Sequence, residues 1–239
     1  MKIGLFSDSH YSSAALTCGC RYNNQSLRKI GEALRFFAEE QCDLVIILGD
    51  VTDTEPSRAM EEENLRQIAQ VLDQSGLDII CLMGNHDAFV FTPEDFYGII
   101  GEQYRPHSIA REGKNLLFLD ACYFKTGVHY MPGDSDWTDT FYPHIDALRR
   151  ELAACDGAVY VFMHQNIDPQ IREDHCLYNA KQLREVLEDS GKVKAVYQGH
   201  YHWGHQLNHN GIEYVTLAAM CQNERAWYIM NTTDSADSI

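Results

Sequence analysis

Short runs of apolar, often β-branched residues recur along the chain at Lys2 to Ser7, Leu44 to Leu48, Ile79 to Met83, Leu116 to Leu119, Val159 to Met163, Val193 to Tyr197 and Tyr214 to Leu217. Hydrophobicity that is nearly continuous rather than alternating marks strands covered on both faces. Between several of these runs, apolar residues recur every three or four positions. Leu27, Ile30, Ala33, Leu34, Phe37 and Ala38 do so, as do Leu65, Ile68, Ala69, Val71 and Leu72, and Leu183, Val186 and Leu187. That spacing lines one face of a helix. Strand, helix, strand alternation predicts an α/β layered core. Gln74-Ser75-Gly76 and Asp189-Ser190-Gly191 put glycine where a helix must stop before the next strand. Ala88 to Gly113 and Tyr123 to Pro143 are less regular and contain Pro93, Pro106, Pro132 and Pro143, so loops and small helices are expected there. A domain over 1–230 is followed by a polar stretch, 231–239, that reads as a frayed tail.

At 239 residues the length suits one domain with a substantial core. Lys and Arg total 19 against 35 Asp and Glu, a formal charge of -16. Such a surface repels polyanions and disfavours general nucleic-acid binding, so a phosphate must be held locally, for instance by bound cations. The chain enters Ile3-Gly4-Leu5-Phe6 without a secretory pattern, and no apolar run is long enough for a bilayer. The expectation is a cytoplasmic protein with no membrane association. The 8 cysteines are mostly scattered among helical and strand-like segments and read as reduced packing thiols. Cys18-Gly19-Cys20 is the one close pair and reads as a loop thiol pair, because no second pair at zinc-ligand spacing accompanies it.

Five of the apolar runs end in residues with metal-ligand chemistry: Asp8-Ser9-His10, Gly49-Asp50-Val51-Thr52-Asp53, Gly84-Asn85-His86-Asp87, His164, and Gly199-His200-Tyr201-His202. In an extended backbone, Asp8 and His10, two apart, point to the same side. Asp50 has two carboxylate oxygens with which to bridge two ions, and Gly49 allows a tight turn before it. Asn85 offers an amide oxygen; His164, His200 and His202 offer imidazole nitrogens suited to manganese, iron or zinc. Each residue alone has an ordinary explanation as a helix cap, a turn former or a packing histidine. Their joint placement after strand-like runs does not. His205 and Trp203 are candidates to line a pocket, whereas His107, His129, His144, His175 and His209 lie in polar stretches and are expected to be solvated.

In their order and content these groups resemble the calcineurin-like metallophosphoesterase superfamily, from near the first residue to about Ala219. The resemblance implies a β-sandwich flanked by helices and a centre of two divalent or transition-metal ions. One ion would take Asp8, His10, Asp50 and His202, and the other Asp50, Asn85, His164 and His200. It further implies that His86 faces the substrate with Asp53 as the partner that orients it. The reaction would be an in-line attack by a water-derived nucleophile, without a covalent enzyme intermediate.

The substrate implied is a small phosphorylated molecule. Thr54-Glu55 after Asp53, and Asp87 where the protein serine/threonine phosphatases carry Glu, fit that branch poorly. A looser resemblance is to manganese-dependent ADP-ribose/CDP-alcohol diphosphatases, carried by Arg21-Tyr22, Ser26-Leu27, Cys176-Leu177-Tyr178-Asn179 and Gly211 to Val215. It makes Arg21, Tyr22 and Asn179 candidate substrate contacts. His164-Gln165-Asn166 departs from many relatives, which carry proline or a second histidine there. The alternatives are a class III cyclic-nucleotide phosphodiesterase and, in another class, a non-catalytic interaction scaffold.

Overall fold

The structure, a computed structural model, describes residues 1–132 and 142–232. In chain order its elements are β1 (Lys2–Phe6), α1 (Ser26–Glu39), β2 (Leu44–Ile47), α2 (Arg58–Ser75), β3 (Ile79–Cys81), α3 (Asn85–Val90), α4 (Pro93–Ile100), β4 (Ile109–Arg111), β5 (Lys114–Leu119), α5 (Ile145–Ala154), β6 (Ala158–Met163), α6 (Ala180–Ser190), β7 (Val193–Gln198), β8 (Trp203–His209), β9 (Ile212–Ala218) and β10 (Trp227–Asn231). They build one sheet in the order β10-β1-β2-β3 and a second in the order β4-β5-β6-β7-β9-β8. Strands β1, β2 and β3 are parallel, as are β5, β6, β7 and β9. The antiparallel partners β10, β4 and β8 occupy edges.

Alternate residues of the central strands are buried on opposite faces. Ile3, Leu5, Ile46, Leu48, Ile80 and Leu82 point from the first sheet toward Leu116, Tyr160, Phe162, Tyr197, Val215 and Leu217 of the second, and together form the inter-sheet core. Phe6, Val45, Ile47, Ile79 and Cys81 point the other way, under Ile30, Phe37, Leu65, Ile68 and Leu72 of α1 and α2. On the outer side of the second sheet, Val159, Val161 and Val196 meet Leu148 and Leu152 of α5 and Leu183, Val186 and Leu187 of α6. The result is a sandwich of two sheets between two helical layers, in agreement with the expected fold class. Both predicted helix stops are present, with Gly76 at φ 65° after α2 and Gly191 at φ 63° after α6.

Strands β4, β8 and β10 and helix α5 have no counterpart in the apolar pattern. Edge strands bury only part of their surface: β8 reads Trp-Gly-His-Gln-Leu-Asn-His with Trp203 70 % exposed. In the irregular stretch after Ala88, the expected small helices correspond to α3, which begins at Asn85, and to α4. Most of Tyr123 to Pro143 is described, but 133–141 lies outside the described residues. The expected tail needs a shift of boundary. Asn231 pairs with Lys2 at the end of β10, and buried Thr232 accepts a hydrogen bond from the Met1 amino group at 2.9 Å. Residues 233–239 lie outside the described part. Among the described residues no helix is long and apolar enough to cross a membrane.

Candidate metal centre

Parallel strands deliver their carboxyl ends to one edge of a sheet, and here two sheets do so side by side. The segments after β1, β2, β3, β6 and β7 carry the five residue groups, with Asn85, His86 and Asp87 in the first turn of α3. Backbone hydrogen bonds lace these loops together: Asp8 N–H to Gly49 O at 3.1 Å, His10 N–H to Asp50 O at 2.9 Å, and Gly199 N–H to His164 O at 2.9 Å. Asp8, His10, Asp50 and His200 have left-handed backbones, at φ 55°, 43°, 50° and 64°. A non-glycine residue held there costs about 1–3 kcal/mol, and such strain collects at functional sites. This corrects the reason expected for the meeting of Asp8 and His10. They do approach, with His10 Nε2 3.7 Å from Asp8 Oδ1, but β1 ends at Phe6 and a left-handed loop, not strand alternation, turns them together.

Two glycines let the loops close. A Cβ on Gly84 would lie 2.1 Å from Asp50 Oδ1, and one on Gly199 would lie 2.1 Å from Ser7 Oγ and 2.6 Å from Asp8 Oδ2. Neither loop could approach so far with any other residue.

The donors fall into two sets that share Asp50. In the first, His164 Nδ1 donates to Leu48 O at 2.7 Å, which leaves Nε2 facing Asn85 Oδ1 at 3.1 Å and Asp50 Oδ2 at 3.2 Å. A ring nitrogen of His200 lies within 4.8 Å of the Asp50 and His164 donors. In the second, His10 Nε2 faces His202 Nε2 at 3.2 Å and Asp50 Oδ2 at 3.4 Å, with Asp8 Oδ1 3.4 Å from His202 Nε2. Buried Nε2 and two acceptor oxygens facing one another need a positive charge among them. Divalent cations meet that need, so the donor set fits the metals expected. Charge is coupled across the same groups. Burial opposes the charge on His164, yet the neighbouring Asp50 raises it to about 9. Burial also opposes charge on Asp50, but His164, His86 and His10 hold its carboxyl far below the usual carboxylate range. His10 and His200, where burial dominates, fall to about 4 and about 3 and are neutral at pH 7.

Beside these sets, His86 Nδ1 lies 3.2 Å from Asp53 Oδ1. The His86 side chain is 26 % exposed, whereas its backbone N–H donates to Asp50 Oδ1 at 2.8 Å. Burial lowers the basicity of His86, but Asp50 and Asp53 more than offset this and raise it above an ordinary imidazole. His86 also falls within 4.8 Å of donors on His10 and Asp50, so distance alone does not distinguish a ligand from a substrate-facing group. Asp87 acts beneath them. It is fully buried and accepts from Val51 N–H, Thr52 N–H and Gly84 N–H, which ties the β2 loop to the β3 loop.

Of the three candidate substrate contacts, Arg21 reaches the centre: Nη1 lies 3.4 Å from Asp53 Oδ2 and 3.5 Å from His10 Nδ1. Tyr22 is 44 % exposed, and its backbone N–H donates to Cys221 O. Asn179 heads α6 with its Oδ1 buried and unpaired, and among the described residues its side chain bonds to none of the expected ligands. Several residues at the centre had no signal in the sequence. Asn23 is fully buried and its amide donates to Asp53 Oδ2 and to His10 O, each at 2.7 Å, yet it reads as an ordinary residue before a helix. Gln222 lies against His202 Nδ1 at 2.8 Å. His175, expected to be solvated, brings its ring to 6.2 Å from His200 and 5.3 Å from Tyr201. His205 pairs with buried Asp168 at 2.6 Å.

The sequence profile of the calcineurin-like phosphoesterases matches residues 1–204, and the chain belongs to that family. It is a metal-dependent phosphoester hydrolase acting on a small phosphorylated substrate, and the family uses a binuclear divalent metal centre. Among curated proteins, the chain is similar to a Psychrobacter arcticus protein described as "Probable cyclic nucleotide phosphodiesterase", at 27 % identity over 90 % of this chain and 74 % of the relative. A Pseudoalteromonas protein with the same description is 25 % identical over 80 % of this chain and 68 % of its own. Among solved structures, a dimetal phosphatase from Danio rerio shares the fold with a TM-score of 0.80, at 17 % identity, over 95 % of this chain and 91 % of its own.

Proposed function

We propose that this protein hydrolyses a nucleotide-containing pyrophosphate, such as ADP-ribose or a CDP-alcohol, at a centre of two divalent ions. Asp8, His10, Asp50 and His202 would hold one ion, and Asp50, Asn85, His164 and His200 the other. The observation that carries this reading is the position of Asp50 Oδ2, 3.4 Å from His10 Nε2 and 3.2 Å from His164 Nε2, where one carboxylate oxygen serves both donor sets. Manganese, iron and zinc all suit imidazole, carboxylate and amide donors. When bound, the two ions neutralise phosphoryl charge and lower the pKa of water. The chain's own residues supply the rest. His86, held and made more basic by Asp53, is charged over a wider pH range than a free imidazole. From there it donates a hydrogen bond to the phosphoryl group or a proton to the leaving oxygen, a contribution of typically about 10²–10⁴-fold.

Arg21 supports the pyrophosphate. Its guanidinium flanks the His10 side of the centre, where a second phosphate would meet a bidentate donor. The aromatic group of Tyr201, Trp203 and His175 on the His200 side, with Trp203 70 % exposed, offers ring faces to a nucleobase. A second reading, cyclic-nucleotide hydrolysis, is favoured by the descriptions of the relatives. It uses the same donor sets and has no need of Arg21. The scaffold reading is disfavoured by the full set of donors. The test compares kcat/KM for ADP-ribose, CDP-choline, cyclic AMP and a simple aryl phosphodiester with added Mn²⁺. The pyrophosphates should be turned over fastest. A clear preference for cyclic AMP would replace this reading with the second, and no turnover of any of them with both ions bound would leave the scaffold.

A further inference from the structure

We propose that Cys221 is an additional metal ligand on the His10 and His202 side of the centre, giving that position a sulfur donor and a preference for zinc or ferrous iron over manganese. The proposal rests on the binuclear reading above and adds a ligand that the family resemblance does not supply.

The side chains His10, His202 and Cys221 place one donor atom each within 4.8 Å of one another, and no residue of the three is more than slightly exposed. A sulfur about 2.3 Å and an imidazole nitrogen about 2.0–2.1 Å from one ion are at most about 4.4 Å apart. At the tetrahedral angle of a zinc site they are about 3.6 Å apart, so from the observed bound the donors would close by no more than about 1.2 Å, within the reach of side-chain torsions. The backbone holds the thiol where it is. Cys221 N–H donates to Asp8 O at 3.0 Å, its carbonyl accepts from Tyr22 N–H at 2.9 Å, and the preceding Met220 N–H donates to Ser7 O at 3.0 Å. The sulfur is thus fixed by the same loop that carries Asp8 and His10.

A buried cysteine is most often a small packing residue. Cys81, Cys122 and Cys155 fit that description, since each belongs to an apolar core. Cys221 is as buried as Cys81 but belongs to none of the three apolar clusters among the described residues. Its thiol makes no hydrogen bond among them. It lies beside the imidazoles of His10 and His202, with the Arg21 guanidinium also near, and Gln222, the next residue, lies against His202 Nδ1. A side-chain amide there can turn its oxygen to a ring N–H, the support that an imidazole ligand usually has on its far nitrogen. Ligation would form one sulfur–metal bond and release the S–H proton to solvent, with no change of oxidation state. Thiolate selects softer ions, which is the source of the predicted preference.

The test loads the full-length protein with Co²⁺ in a Cys18→Ser/Cys20→Ser background, so that those two exposed thiols contribute no sulfur-to-cobalt band. Metal content is measured together with the absorption spectrum. A near-ultraviolet sulfur-to-cobalt charge-transfer band should be present, and Cys221→Ser and Cys221→Ala should both abolish it while retaining cobalt. In competition, the zinc-to-manganese affinity ratio should fall by at least about tenfold in Cys221→Ser. Two bound cobalt ions without the band, or a band that survives both substitutions, would overturn the role of Cys221 and leave the binuclear reading standing. No cobalt uptake would overturn both.

Discussion

The two sheets bring different chemistry to the edge where they meet. The four-stranded sheet supplies every carboxylate of the centre, from Asp8, Asp50 and Asp53, together with Asn85, His10 and His86. The six-stranded sheet supplies imidazoles: His164 directly after β6, and His200 and His202 after β7. Neither sheet completes a donor set alone. Asp50 meets His164 at 3.2 Å and Asp8 meets His202 at 3.4 Å only across the sheet interface, under the core formed by Ile46, Leu48, Phe162 and Tyr197. The carboxylates are thus concentrated on one layer, and the other contributes imidazoles alone. Docking of the layers is what assembles the site.

The sharpest break in this division is expected from Asp50→Asn, which removes the carboxylate that serves both sets. Metal content by elemental analysis should fall well below that of the unaltered protein. kcat should drop by more than about 10²-fold, beyond the usual effect of altering a group behind the ligands. Wild-type metal content in this variant would show that the imidazole layer holds the ions by itself.

His86→Gln, on the same sheet, should behave differently. It should keep its metal while losing about 10²–10⁴-fold in kcat, as expected for a lost proton donor. Near-complete metal loss equal to that of Asp50→Asn would instead make His86 a ligand.

The contact between the layers can be probed without replacing a donor. Gly199→Ala drives a methyl group to 2.1 Å from Ser7 Oγ, so it should lower stability by about 1–3 kcal/mol and weaken metal binding. Calorimetry with and without metal measures both, and an unchanged melting temperature would reveal slack between the two loops.

The smallest effect expected is from Arg21→Ala. KM for ADP-ribose should rise by about tenfold, equivalent to ~1.4 kcal/mol, with little change for an aryl phosphodiester that lacks the second phosphate. Equal losses on both substrates would assign Arg21 to holding Asp53, 3.4 Å away, and not to binding substrate.

The chain's hydrophobic pattern by itself determined the central parallel strands, the helices α1, α2 and α6 and their glycine stops, because each buries a face long enough to impose a period. It also determined which chemical groups follow β1, β2, β3, β6 and β7, since those groups lie directly after their strands. The edge strands β4, β8 and β10 were not legible, because a strand with one neighbour and an exposed face carries no continuous apolar run. Nor were the left-handed turns at Asp8, His10, Asp50 and His200, which hydrogen bonds between loops impose on residues that would not choose them alone. Asn23, His175, Cys221 and Gln222 reach the centre from segments whose local sequence reads as cap, loop or strand end. Only the tertiary packing of these segments decided their place, because contacts between residues far apart in the chain depend on how loops and layers pack and leave no periodic trace in either segment.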